Sequence, residues 1–509
     1  MPKYDFSKLQ NGSDIRGIAL EGVEGQSVNL TETAVERLAR GFVLWLSNES
    51  EKNASDLTIS VGRDPRLSGE AIVSTFIHAV SSQGCQVLDA GLASTPAMFM
   101  STVFPEYDCD GAVMITASHL PWNRNGLKFF SRNGGLEKGD ITDIITFAES
   151  DSVLNSIRAG APKEPKPIAL LDTYAAHLRG LITDGVGSDS DKPLEGMKIT
   201  VDAGNGSGGF YAVNVLEPLG ADVSSSQFLE PDGNFPNHAP NPEDKAAMKS
   251  ICDKVKASGS DLGLIFDTDV DRSSAVDENG NEINRNAIVA MAAALIAIEH
   301  PGTTVVTDSI TSNQLTEFLE KCLGLKHLRF KRGYRNVINK AIELNNSGID
   351  SQLAIETSGH GAFKENYFLD DGAYLATKIV IKAARLKQSG ASISAVLSSL
   401  EHPEEAEEIR FPITVDDFGS YGDTVLAELS NLIESGQIKG ASLVSPNYEG
   451  IRVNFSLPNL SGWFLLRKSL HDPIMPLNIE SDTEGGCAEI RKVLKPLLSG
   501  YDGLNTEKL

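Results

Sequence analysis

The sequence predicts an α/β protein of several layered domains, and three observations carry that expectation. Short β-branched apolar runs recur along the chain, at 57–61, 111–115, 199–201, 262–266 and 304–306. Each ends in a polar or glycine-rich loop and is followed by apolar residues at helical spacing. The runs are continuously hydrophobic rather than alternating, as strands buried on both faces of a sheet must be. Loops at the carboxyl ends of such strands are where α/β folds hold ligands, and the chemically interesting residues of this chain fall there.

Composition narrows the class. At roughly 100–200 residues per domain, a chain of 509 residues predicts about three to five domains. Hydrophobic residues at 41% and charged residues at 22% indicate a globular chain rather than a disordered one. With 45 basic against 69 acidic residues, the net charge is −24. That balance argues against nucleic acid or an anionic membrane as partner, since both are held by basic surfaces. Cys85, Cys109, Cys252, Cys322 and Cys487 are scattered, with no CxxC pair, so neither a disulfide framework nor a structural zinc site is expected. Polar residues at 1–12 predict no signal peptide. The longest apolar run, 287–298, is too short to span a bilayer and reads as a buried helix. The expected compartment is reducing: the cytoplasm, or a plastid stroma were a transit peptide removed.

Boundaries follow from punctuation. The proline-dense stretch 161–167 reads as a first linker, the segment 280–285 as a second, and the acidic stretch 402–408 as a third. The resulting domains are 1–166, 167–284, 285–402 and 403–509, the last rich in strands.

Four constellations carry chemistry. After the 262–266 run comes Asp267-Thr268-Asp269-Val270-Asp271-Arg272. Carboxylates at i, i+2 and i+4 on an extended backbone share one face and suit a hard, oxygen-seeking cation. A solvated acidic turn is the bland alternative, but uncompensated carboxylates so close repel one another. An EF-hand is a poor fit: Arg272 sits where that loop needs Gly, and the preceding segment reads as a strand, although Glu278 occupies the twelfth position. Thr116-Ala117-Ser118-His119-Leu120-Pro121, with Lys128 ten residues after Ser118, offers an activated nucleophile or a phosphate carrier. Gly204-Asn205-Gly206-Ser207-Gly208-Gly209 matches a dinucleotide fingerprint, but Ser224-Ser225-Ser226-Gln227 stands where the ribose-binding acid belongs. It reads better as a tight strand-to-helix connection. Glu356-Thr357-Ser358-Gly359-His360-Gly361 pairs a carboxylate, a hydroxyl and an imidazole that suit the donors and acceptors of a polyol.

In this order and spacing the loops resemble the α-D-phosphohexomutase superfamily of phosphoglucomutases, phosphomannomutases and phosphoglucosamine mutases. The resemblance covers nearly the whole chain. It implies a four-domain architecture: three related α/β domains with mixed sheets and a C-terminal α+β domain. It implies that Ser118 carries a transferable phosphate and that Mg²⁺ is held by Asp267, Asp269 and Asp271 together with Ser118. Arg272 would lie near the phosphoserine, and His119, Lys128 and Arg16 match positions serving proton transfer. Glu356, Ser358 and His360 would contact sugar hydroxyls. Arg467, Ser469 and His471, in Arg467-Lys468-Ser469-Leu470-His471-Asp472-Pro473, would hold the substrate phosphate. Gly62 to Gly69, Thr95-Pro96 and Asp232-Gly233-Asn234-Phe235-Pro236 match supporting motifs.

Four residues depart from the family pattern. Leu120 replaces Asn and Thr268 replaces Gly, neither removing a charged group. Leu470 and His471 stand in place of a flexible Gly and a hydroxyl donor. The resemblance implies an enzyme interconverting glucose 1-phosphate and glucose 6-phosphate, with a hexose 1,6-bisphosphate as intermediate or activator. A second reading releases glucose 1,6-bisphosphate as product, with a donor such as fructose 1,6-bisphosphate. A third is a sugar-phosphate-binding regulator without turnover. The expected partners are hexose phosphates, with no nucleic acid and no membrane; monomer and homodimer both stay open.

Overall fold

The computed structural model describes residues 4–157, 160–188, 190–469 and 472–509. Two compact units emerge: Met1–Leu295 with Ser358–Ser398, and Ile296–Thr357 with Ser399–Leu509. Among the described residues no helix is long and apolar enough to cross a membrane.

The first unit opens with a mixed sheet. The Gly111–Ile115 strand runs at its centre, parallel to Thr58–Arg63 and antiparallel to Arg124–Ser131. Thr58–Arg63 in turn pairs in parallel with Gln86–Leu92, and Arg124–Ser131 antiparallel with Asp14–Ile18. Every residue of Gly111–Ile115 is buried, as its unbroken apolar run predicts. Val113 and Ile115 join a core with Leu38 and Phe42 of the Glu32–Ser50 helix, Phe76 of Gly69–Ser82 and Ile144 of Lys138–Glu149. The Thr95–Met100 helix, started by the Ser94 cap with proline in its first turn, also packs on the sheet. The proline-dense stretch is not wholly a linker. Lys166–Pro167 adds a short parallel edge strand against Leu88 and Asp89, the kind of position where proline's missing donor is tolerated.

A second, four-stranded sheet in the same unit places Ile199–Asp202 parallel to Leu262–Phe266, which pairs antiparallel with Ser273–Val276. The Lys245–Ser258 helix packs Ile251 and Val255 on it, capped by Asp244 and closed by left-handed Gly259. The Gly372–Gln388 helix packs on this sheet and on Leu170–Val186, and Tyr174 Oη donates to Asp371 at 2.6 Å. The apolar run near 290 forms the Asn286–Ile296 helix, shorter than its sequence pattern suggests; Ile298 is exposed beyond its end.

In the second unit, Thr304–Thr307 pairs in parallel with Lys326–Arg329 and with Leu353–Ile355. A five-stranded antiparallel sheet follows, ordered Glu405–Pro412, Ile474–Ser481, Leu460–Leu466, Ile451–Leu457 and Ala441–Leu443. The Phe418–Glu434 and Gly486–Leu498 helices cover one core with it. Much of the acidic stretch 402–408 is therefore strand rather than linker.

Candidate active site

The loop after Gly111–Ile115 is held by backbone contacts. Ser118 is buried with φ of 51°, a left-handed conformation uncommon outside glycine. Its amide donates to Thr116 Oγ1 at 2.9 Å, and Thr116 donates to Asp64 Oδ2 at 2.7 Å. Arg66 does most of the holding. Its guanidinium donates to the carbonyls of Pro121 at 2.9 Å, Arg124 at 3.1 Å and Leu120 at 2.7 Å, and also to that of Ser118. Only a fork of several donors can serve so many acceptors. Asp64, fully buried, balances its charge at 3.2 Å. Phe235 places its ring 5.4 Å from the same guanidinium. A Cβ at Gly233 would lie 2.4 Å from Pro65 O, so that loop abuts the Arg66 turn. Leu120 contributes its carbonyl to this grip, which does not depend on the side chain that replaces asparagine.

The Leu262–Phe266 strand delivers the carboxylates. Asp267, Asp269 and Asp271 are buried and present oxygens within 4.8 Å of one another. Val270 between them has φ of 66°, a strained state for a β-branched residue, and its carbonyl accepts from Gly372 N at 3.0 Å. Three glycines press on this turn. A Cβ at Gly206 would lie 2.7 Å from Thr268 O, one at Gly359 2.5 Å from Ser273 O, and one at Gly372 2.5 Å from Arg272 C. Thr95 donates to Asp269 Oδ2 through its hydroxyl, and its amide to Asp269 O at 2.8 Å. Asp269 Oδ1 and Asp271 Oδ1 are buried without a hydrogen-bond partner among the described residues. Burial and the neighbouring Asp271 push the Asp267 carboxyl well above the usual range. Buried anionic oxygens left open toward one another fit a divalent cation of hard character. The EF-hand alternative fails: a strand leads into the loop, and Glu278 accepts from Ser394 N at 3.3 Å instead of turning back to it.

The two loops meet. Ser118 Oγ donates to Asp267 Oδ2 at 3.0 Å and lies 3.3 Å from His119 Nδ1. Arg272 Nη2 donates to Asp267 Oδ2 at 3.1 Å and to Ser118 Oγ at 3.4 Å. Lys128 Nζ is 2.5 Å from Asp271 Oδ2 and 3.7 Å from Asp269 Oδ2. His360 Nε2 stands 3.6 Å from Asp271 Oδ1, and Ser358 Oγ lies 2.9 Å from His360 Nδ1. Arg16 donates to Ala117 O at 3.1 Å and pairs with Asp14 at 3.0 Å. Burial, with help from Arg272 and Arg16, pushes the His119 imidazole down to about 2 and so keeps it neutral.

The remaining candidates lie in the second unit. Glu356 is buried and accepts from Gly333 N at 2.6 Å. Arg467 is 9% exposed, and its Nε has no hydrogen-bond partner among the described residues. Burial draws its guanidinium pKa down, with Glu449 opposing. Ser469 N donates to Ile474 O at 3.0 Å, and Ser469 Oγ accepts from Asp472 N at 3.3 Å. Leu470 and His471 lie outside the described residues.

Four residues bear on this site without having been singled out by type: Arg66, Asp64, Thr95 and Asn241, whose Oδ1 accepts from Arg272 Nη1 at 3.1 Å. Asp64, Arg66 and Thr95 fall in motifs that stand out in the sequence and Asn241 falls in none, but the partners of all four are backbone or distant side chains, which leave no local signature. The glycine-rich turn is a tight connection, as its missing ribose acid implied. A Cβ at Gly209 would lie 2.2 Å from Leu229 O, and Asn205, at φ of 60°, donates to Glu230 O at 2.8 Å.

A buried serine beside three carboxylates, two arginines and a lysine, at the strand ends of α/β layers, has the equipment of phosphoryl-transfer enzymes. The family described as phosphoglucomutase/phosphomannomutase, alpha/beta/alpha domains I, II and III, matches residues 7–151, 172–280 and 284–402. The chain belongs to this family of phosphohexomutases. It is 30% identical over 436 residues to a phosphomannomutase/phosphoglucomutase of Pseudomonas syringae pv. tomato, covering 86% of this chain and 85% of that one. It is 29% identical over 493 residues to the Pseudomonas aeruginosa protein of the same name, covering 96% and 95%. The structure of a phosphoglucomutase/phosphomannomutase family protein from Burkholderia thailandensis aligns with a TM-score of 0.75 at 25% identity, over 96% of this chain and 98% of that one.

Proposed function

We propose that this phosphohexomutase is Mg²⁺-dependent and interconverts glucose 1-phosphate and glucose 6-phosphate. In this reading it works through phosphorylated Ser118 and a glucose 1,6-bisphosphate intermediate. The observation that carries the reading is the convergence of Ser118 Oγ and Arg272 on one oxygen of Asp267, at 3.0 and 3.1 Å, inside the buried carboxylate cluster. Asp267, Asp269, Asp271 and the oxygen of Ser118 would hold the cation, which when bound neutralises charge on a phosphoryl group in transfer. Arg272 lies within reach of the same oxygen and would share that charge. The phosphoryl leaves Ser118 Oγ as a new bond forms to the sugar hydroxyl, and the hydroxyl proton ends on Ser118 Oγ. Lys128, Arg16 and neutral His119 are the groups for that proton. Glu356, Ser358 and His360 would grip the sugar hydroxyls, while Arg467, Ser469 and His471 would hold the phosphate that is not reacting.

The departures at Leu470 and His471 favour one further reading, in which a bulkier phosphate loop lets the bisphosphate escape as product. Incubating the purified phosphoprotein with Mg²⁺ and each hexose phosphate, with and without fructose 1,6-bisphosphate, separates the two. Isomerised monophosphate without free bisphosphate supports the mutase. Stoichiometric free glucose 1,6-bisphosphate supports the synthase, and neither product removes both.

A further inference from the structure

His238 sits in the loop that leads into the Lys245–Ser258 helix, and both of its ring nitrogens face acceptors. Nε2 is 3.1 Å from each carboxylate oxygen of Asp202, and Nδ1 is 2.9 Å from Ala239 O. A neutral imidazole carries one N–H and must leave a lone pair against one of these oxygens; only the imidazolium donates to both. The side chain of His238 is 4% exposed and that of Asp202 fully buried. Asp202 is itself fixed at the end of its strand, accepting from Gly204 N at 2.9 Å and Gln227 Nε2 at 2.7 Å.

The loop that His238 anchors reaches two arginines of the site, Arg272 and Arg66. Three residues on, Asn241 accepts from Arg272 at 3.1 Å, and Glu243 lies 3.7 Å from the same guanidinium. Five residues before His238, Gly233 packs on the Pro65–Leu67 backbone, and Phe235 faces the Arg66 guanidinium. Asn237 ties the middle of the loop to Asn205 Oδ1 at 2.7 Å.

We propose that the His238–Asp202 ion pair is a proton-dependent positioning element, which orders the 232–243 loop and through it sets Arg66 and Arg272 around Ser118. It touches neither substrate nor the reacting atoms, and the proposal rests on the mutase reading above. Among the described residues, the charged groups that act on His238 most are Asp202 on the strand end and Asp244 at the start of the Lys245–Ser258 helix. Its other neighbours, the Phe228 ring and the Gly204 turn, carry no charge. Burial alone would lower the imidazole pKa; the hydrogen bond and charge of Asp202 outweigh it and leave it raised. A raised pKa means the pair is charged, and its stabilisation present, at lower pH, and lost as pH rises through the folded-state value.

Two measurements on the full chain test this. In an NMR titration of histidine-labelled protein, with the His238 signal assigned by its loss in H238Q, the imidazole should titrate above the free value of about 6.5. Titration below that value overturns the proposal. In steady-state assays, the ratio of wild-type to H238Q kcat should be about fivefold near about pH 6 and fall toward unity by about pH 9, with KM for hexose monophosphate unchanged. D202N should show the same loss. A ratio independent of pH would mean that His238 is only structural and would overturn the proposal. If wild type lacks mutase activity altogether, the functional reading fails while the titration still decides the ion pair.

Discussion

Ser118 Oγ and Asp267 Oδ2 lie 3.0 Å apart although 149 residues separate them in the chain. The pairing joins two sheets of the first unit at the ends of their central strands, and it makes the serine part of the carboxylate cluster rather than a neighbour of it. Under the proposed function, this contact would hold the hydroxyl in place for phosphoryl transfer before any substrate arrives.

Protein incubated with glucose 1,6-bisphosphate and Mg²⁺ should therefore gain a single phosphoryl group on Ser118. Peptide mass spectrometry reads this directly, and Ser118→Ala should gain none and lose turnover. Modification at another residue, or an active alanine variant, would refute the assignment.

Asp269→Asn should cut kcat by on the order of a hundredfold or more while leaving the far-UV spectrum and melting profile intact. Titration calorimetry should show weaker Mg²⁺ binding, and a chelator should silence the wild type reversibly. Undiminished turnover in metal-free buffer would sink the cation site.

Arg467→Lys should raise KM for hexose monophosphates by about tenfold, since a lysine cannot hold two phosphate oxygens in a fixed plane. Any fall in kcat would reflect poorer orientation of the substrate. An unchanged KM would remove Arg467 from the phosphate site.

Tyr174→Phe should destabilise the first unit by about 1.5–3 kcal/mol, the range for a hydrogen bond to a charged group. The hydroxyl, 2.6 Å from each oxygen of Asp371, shares its one hydrogen with that carboxylate, and burial raises the carboxyl to about 6. The penalty should be small while Asp371 is protonated and grow as pH rises from about 6 and the carboxyl ionises. Denaturant unfolding at two pH values measures the difference; equal penalties would show that the charge is irrelevant.

Strands buried on both faces announce themselves in sequence, and Gly111–Ile115 and Leu262–Phe266 begin and end where their apolar runs do. The three aspartates were legible for a similar reason: three carboxylates cannot sit together in a buried loop without compensation. Segments whose structure depends on a distant partner were harder to read. The acidic stretch 402–408 looks like a linker, yet from Glu405 it belongs to the Glu405–Pro412 strand, half of whose side chains face solvent and whose alternation emerges only in pairing with Ile474–Ser481. Arg66 was visible as part of a motif but not as a clamp, because four backbone carbonyls carry no residue-specific mark. Nothing local marks His238, since its partner, Asp202, lies 36 residues away.

The three glycines around the carboxylate turn have a consequence for how this protein tolerates change. Gly206, Gly359 and Gly372 come from separate stretches of chain, and a methyl group on any of them would collide with a different peptide of the 268–273 turn. A saturation-mutagenesis library should therefore lose function at all three positions even for alanine, although none carries a functional group. Redesign that enlarges this turn is closed as well, unless all three walls are moved together.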